Sequence, residues 1–161
     1  QAELLHRLVL TLPAERTVTV LVVDDNPDVV QLFRRYLAGT TYQLIQARIP
    51  STAIALAREL HPDIITLDVL LPSQDGWQIF QQLQSDPTTC DIPVIVCSIL
   101  PERPLALALG AADFLAKPVT PQSLRDALDR CRDLHRPTGH PSFLSATASV
   151  RPPSDSPPAS G

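Results

Sequence analysis

Five short runs of β-branched and aliphatic residues, at 18–23, 42–47, 64–67, 94–97 and 114–116, punctuate the middle of this chain, each bounded by turn residues. Between and after them lie stretches whose apolar residues recur at helical spacing, at 28–37, 52–60, 77–83, 105–109 and 124–134. Strict alternation of strand and helix leaves few folds open. Parallel neighbours need a long crossover, and each helix supplies one. The runs are nearly all apolar, as strands are when both faces of a sheet are covered. The pattern predicts an α/β domain, a doubly wound five-stranded parallel sheet with helices on both faces. Helix starts are marked chemically. Asn26-Pro27 and Thr120-Pro121 each place a capping side chain before a proline at the first helical position.

The alternating region covers 18–135. Before it, 1–17 reads as a linker or the end of a preceding domain: Leu4, Leu5, Leu8, Val9, Leu10 and Leu12 suit a short helix and then an extended piece. After it, 136–161 reads as a disordered Pro/Ser-rich tail, with six Pro and six Ser in 137–161 and little to bury. The chain begins at Gln1 and contains no Met, so it is expected to be part of something longer.

Composition narrows the function. The net charge of −4 argues against a sequence-independent nucleic-acid binder, which would be basic. No apolar run reaches the roughly 20 residues of a membrane span, and no signal peptide is visible. Cys90, Cys97 and Cys131 are odd in number and form no CxxC pair, which fits neither a zinc knuckle nor a disulfide scaffold and suits a reducing cytoplasm.

In a doubly wound sheet, ligands bind beyond the carboxyl ends of the strands. Here those ends carry Asp24-Asp25, Asp68, Ser98 and Lys117-Pro118. Three carboxylates, a hydroxyl and an ammonium are therefore expected on one edge. Such carboxylates repel one another unless a cation sits among them. Hard oxygen donors suit Mg²⁺, which keeps waters and accepts a phosphate oxygen. The chain has 12 Arg and a single Lys, and that Lys117 faces the acids. The set reads as phosphoryl transfer with one carboxylate as nucleophile.

These residues carry a resemblance. Val22-Val23-Asp24-Asp25-Asn26-Pro27, the stretch from Asp63 through Asp68 to Pro72, Asp75-Gly76, Pro93-Val94-Ile95-Val96-Cys97-Ser98, and Gly110 through Phe114 to Lys117-Pro118 are similar to the receiver domain of two-component response regulators. The resemblance spans 18–135 and implies the flavodoxin-like (βα)5 arrangement. It implies that Asp68 is the phosphoacceptor for a histidine kinase or phosphotransfer domain. It implies Mg²⁺ held by Asp24, Asp25, Asp68 and the backbone carbonyl of Leu70. Ser98 matches the switch hydroxyl, Phe114 the switch aromatic, and Lys117 the phosphate contact, its bond to Pro118 being cis. A receiver is a signalling module that catalyses only its own aspartyl phosphorylation and dephosphorylation. The stretch 6–13, ending Thr11-Leu12-Pro13, is similar to the closing strand of a histidine-kinase ATP-binding domain, which implies a receiver at the C-terminal end of a hybrid kinase; a helical linker is the alternative. Whether the chain forms a homodimer is left open, as are its cognate kinase and its output.

Two departures stand out. Ser98 and Lys117 are 19 positions apart, shorter than the family's usual spacing, and Pro101 and Pro104 fall in the gap. The fourth helix is therefore expected to be short, starting near Pro104. Ile99 stands where the family has a small residue.

Other readings fit worse. An aspartyl phosphatase would carry Asp-x-Asp on its first strand. A flavin module would need a Ser/Thr/Gly-rich loop there, and Asp24-Asp25 would repel its phosphate. No GxxxxGK[ST] loop occurs among the five glycines. A receiver-like scaffold without turnover would lack Asp68, Lys117 or an acidic partner, and all are present.

Overall fold

Each apolar run becomes a strand in the computed structural model, which describes residues 16–72 and 75–134. The expected linker or domain end up to residue 15, the kinase-like 6–13 and the tail beyond 135 lie outside the described residues. The elements run β1 (Val18–Val23), α1 (Pro27–Tyr36), β2 (Tyr42–Ala47), a 3-10 turn (Pro50–Thr52), α2 (Ala53–Leu60), β3 (Ile64–Asp68), α3 (Gly76–Ser85), β4 (Val94–Ser98), α4 (Arg103–Ala108), β5 (Asp113–Ala116) and α5 (Pro121–Leu134). All strand pairs are parallel, in the order β2-β1-β3-β4-β5. The doubly wound, flavodoxin-like (βα)5 arrangement is what the alternation implied.

Side chains of period two divide the core into two layers. Leu21, Val23, Ile65, Leu67, Val94 and Val96 face Ala53 and Ala57 of α2, Ile79, Phe80 and Leu83 of α3, and Ala106 of α4. Val20, Val22, Ile64 and Ile95 face Val30 and Phe33 of α1 and Leu124, Ala127, Leu128 and Cys131 of α5. Central strands are thus apolar on both faces, Thr66 of β3 apart, because both faces are roofed. Trp77 packs at the margin of the first layer, edge-on to Phe80.

The expected caps form. Asn26 accepts from the Asp28 amide ahead of Pro27, and Thr120 Oγ1 accepts from the Ser123 amide ahead of α5. α4 is short, six residues with Pro104 in its first turn. The sheet order reverses direction between β1 and β3, and a crevice outside their carboxyl ends is where such a sheet binds ligands. Asp24 directly follows β1 and Asp68 closes β3, one on each side of that point.

Candidate functional site

β1 delivers Asp24 to the sheet edge. Its carboxylate is buried, with Oδ1 accepting from the Asn26 amide at 2.9 Å. That bond bends the chain into α1, whose N-cap is the same Asn26. Asp25, the next residue, is exposed. β3 ends on Asp68, level with Cys97 of β4. Asp68 is buried, and its Oδ1 accepts from the Leu70 amide at 2.8 Å.

Lys117 joins the two acids. Its Nζ donates to Asp68 Oδ2 at 2.6 Å and to Asp24 Oδ2 at 3.0 Å, across sequence separations of 49 and 93 residues. The backbone amide of Lys117 donates to the Ser98 carbonyl at 2.8 Å, which fixes the residue beside β4. The Lys117-Pro118 bond is cis. Ser98 closes β4 fully buried, and its Oγ accepts from the Leu100 amide at 3.1 Å. Phe114 lies one strand further out, buried in the first core layer. Leu70, Ile99 and Leu100 are exposed on the loops after β3 and β4.

Burial acts against charge at Asp24, Lys117 and Cys97. Burial of Asp24 raises its pKa above the usual carboxylate value, although the Asn26 amide and the Lys117 ammonium pull the other way. Burial also disfavours the Lys117 ammonium, but its hydrogen bond to Asp68 and the charges of Asp24 and Asp68 outweigh that cost, and its pKa rises. Burial pushes the Cys97 thiol up to about 12, so it stands beside Asp68 as an inert apolar group.

The structure thus brings Asp24, Asp68 and Lys117 into direct contact and sets Ser98 against Lys117 through the backbone. Asp25 shares the edge at its exposed side. Among the described residues, no three His, Cys, Asp or Glu side chains are grouped so as to hold a metal by themselves. The donor chemistry does suit a small hard cation: every acidic donor is an oxygen, and one ammonium already bridges two of the carboxylates.

One feature was beyond sequence reasoning. Asp113, at the start of β5, is buried between Arg103 of α4 and Arg130 of α5. Burial alone would raise its pKa, yet the Arg130 hydrogen bond, the Phe114 amide and both guanidinium charges hold it below the usual value. A charged residue opening an otherwise apolar strand was the only signal for it.

Residues 20–129 match the family described as "Response regulator receiver domain". The response regulator PleD of Caulobacter vibrioides is 41% identical over 103 residues, which are 62% of this chain and 23% of PleD. RpaA of Synechocystis, a DNA-binding dual master transcriptional regulator, is 35% identical over 122 residues, 74% of this chain and 49% of RpaA. The protein PilH of Pseudomonas aeruginosa is 32% identical over 108 residues, 65% of this chain and 89% of PilH. The chain therefore spans about a quarter of PleD and about half of RpaA. A response regulator from Desulfuromonas acetoxidans shares the fold with a TM-score of 0.67 and 26% identity, over 74% of this chain and 99% of its own. The chemotaxis protein CheY4 of Vibrio cholerae does so with a TM-score of 0.65 and 26% identity, over 71% and 98%.

Proposed function

The chain belongs to the receiver-domain family of response regulators, and from that premise we propose that Asp68 accepts the phosphoryl group. The domain is a module of a two-component phosphorelay, a signalling part rather than a conventional enzyme. Its donor is a histidine kinase or phosphotransfer domain carrying phosphohistidine. Asp24 and Asp68 share the Lys117 ammonium, and what supports Asp68 as acceptor is the shorter of the two contacts, 2.6 Å to its Oδ2 against 3.0 Å to Asp24 Oδ2, with Asp24 Oδ1 already taken up by the turn into α1.

In the transfer, a carboxylate oxygen of Asp68 bonds to phosphorus while the phosphorus–nitrogen bond of phosphohistidine breaks, and the nitrogen keeps the electron pair. The protein's task is positioning and charge compensation. Lys117 is placed to exchange one Asp68 oxygen for a phosphoryl oxygen without leaving Asp24. The Leu70 amide holds the other Asp68 oxygen, which fixes the carboxylate plane. Ser98 has a hydroxyl proton to donate to the phosphoryl group, and Phe114 is buried on the neighbouring strand, level with Val96. Asp24, Asp25, Asp68 and the Leu70 carbonyl would hold Mg²⁺, which supplies positive charge to the phosphoryl oxygens. No helix among the described residues is long and apolar enough to cross a membrane; a cytoplasmic setting, where phosphohistidine donors act, fits this reading.

Acetyl phosphate with Mg²⁺ tests the assignment. Wild type should gain one phosphoryl group by intact mass, and the folded Asp68→Asn variant should gain none. Stoichiometric label in Asp68→Asn would move the acceptor elsewhere.

A further inference from the structure

One side chain ties the first turn of α4 to β5. Arg103 Nη1 donates to the Phe114 carbonyl at 3.0 Å, and Nη2 donates to Asp113 Oδ1 at 3.2 Å. Asp113 is a fixed anchor. It is buried, Oδ1 also accepts from the Phe114 amide, and Oδ2 accepts from Nε and Nη2 of Arg130 in α5. Only Ile99, Leu100, Pro101 and Glu102 separate Ser98 from Arg103. Those residues are themselves tied: the Leu100 amide donates to Ser98 Oγ, and the Glu102 amide donates to the Leu100 carbonyl at 2.9 Å. The Lys117 amide closes the ring on the Ser98 carbonyl. A Ser98 hydroxyl that turned toward Asp68 would have to give up the Leu100 amide or draw it along, and the loop that must then readjust runs only four residues before Arg103.

We propose that Arg103 is a positioning residue that restrains the Ser98 hydroxyl from turning to a phosphoryl group on Asp68, by anchoring the start of α4 to Phe114 and Asp113. The proposal rests on Asp68 as acceptor and Ser98 as the hydroxyl that turns. The Arg103 side chain is 55% exposed, so its contribution lies in the two-pronged grip of a planar guanidinium rather than in core packing. A grip made in one arrangement and strained in the other biases the equilibrium toward the first. Releasing it raises the affinity of any ligand that selects the second.

Beryllofluoride with Mg²⁺, a phosphoryl mimic, can be titrated into the full chain by calorimetry. Arg103→Ala should bind it about fivefold more tightly than wild type. Arg103→Lys keeps the charge and loses the fork, so it should fall beside Arg103→Ala. In a Ser98→Ala background, where no hydroxyl can turn, Arg103→Ala should leave the affinity unchanged. Arg130 keeps Asp113 paired in every variant, and thermal melts check that each is folded. Equal affinities of wild type and Arg103→Ala, wild-type behaviour of Arg103→Lys, or the same gain in the Ser98→Ala background would each overturn the proposal. Binding by Asp68→Asn as tight as by wild type would overturn the acceptor assignment, and this proposal with it.

Discussion

Asp24 and Asp113 are both buried acids, and their surroundings give them opposite effects on stability. Asp24 has a raised pKa because burial outweighs its partners, so the folded state holds its proton better than the unfolded chain does. Its charge costs stability at neutral pH, and that cost is relieved as pH falls through the raised value toward 3.8. Asp113 has a lowered pKa, so its contribution is present above 3.8 and is lost as pH falls through its lower folded value. Asp24→Asn should therefore raise the urea midpoint at pH 7, and Asp113→Asn should lower it. The loss at Asp113 should be about 1–3 kcal/mol, toward the low end because both guanidiniums are more than half exposed. Urea melts at pH 7 check both signs, and repeats at pH 4, inside the Asp24 window and above that of Asp113, should show the Asp24→Asn gain shrinking and the Asp113→Asn loss intact. Equal losses in the two variants would mean that Lys117, and not burial, governs Asp24. The two acids also differ in how readable they were. Asp24, Asp68 and Lys117 could be placed together from sequence because the strand ends of a parallel sheet share one edge. Asp113 meets arginines 10 and 17 positions away on two different helices, and only the packing of those helices on β5 creates the cluster.

At the scale of elements, β1 and β2 coincide with the apolar runs that announced them. β3 and β4 extend one residue past theirs, to Asp68 and Ser98, because pairing continues through the polar residue itself. Polarity masked these ends: a side chain at the sheet margin need not be apolar to stay in the ladder. α3 starts at Gly76 and runs to Ser85, beyond the apolar 77–83, because a helix continues where its outer residues only face water. α4 starts at Arg103, beside the expected start near Pro104 and ahead of the apolar run from 105, because Pro104 suits the first turn. Gly76 has a reason that no periodicity reveals. A Cβ there would lie 2.3 Å from Val69 Cα and 2.6 Å from the Asp68 carbonyl, both backbone atoms that cannot step aside. α3 thus presses its first turn onto the strand end that carries Asp68. Gly76→Ala should cost about 3 kcal/mol in urea melts and slow phosphorylation by acetyl phosphate as that strand end shifts. Gly39 is a contrasting case, with φ +76° and nothing within 4 Å of an added Cβ. Gly39→Ala should cost only the roughly 1–2 kcal/mol of a left-handed residue and leave phosphorylation unchanged. A Gly39→Ala loss as large as that of Gly76→Ala would mean that backbone conformation, and not close approach, sets the penalty.

Across the whole molecule, folding gathers charge that the unfolded chain keeps apart. Asp24 and Asp68 lie 44 positions apart in the chain, yet both meet the ammonium of its only lysine. With Asp25 beside them, the sheet edge carries three carboxylates against one cation. Two roofed core layers hold that edge in place and oppose its repulsion, so the site draws on the stability of the entire domain. A divalent cation that binds the folded edge and not the dispersed acids must then stabilise the whole fold by mass action. At tenfold its dissociation constant the gain is about 1.4 kcal/mol, which raises Tm by about 5 °C for a domain of this size. Calorimetric scans in Mg²⁺ and in NaCl of equal ionic strength separate binding from general screening. Mg²⁺ should raise Tm well above its NaCl control in wild type. Asp25→Asn should lose most of that difference, because it removes the exposed acid nearest solvent while leaving the Asp24–Lys117–Asp68 contacts in place. Equal shifts in the two salts, or an undiminished Mg²⁺ effect in Asp25→Asn, would place the cation elsewhere on the protein.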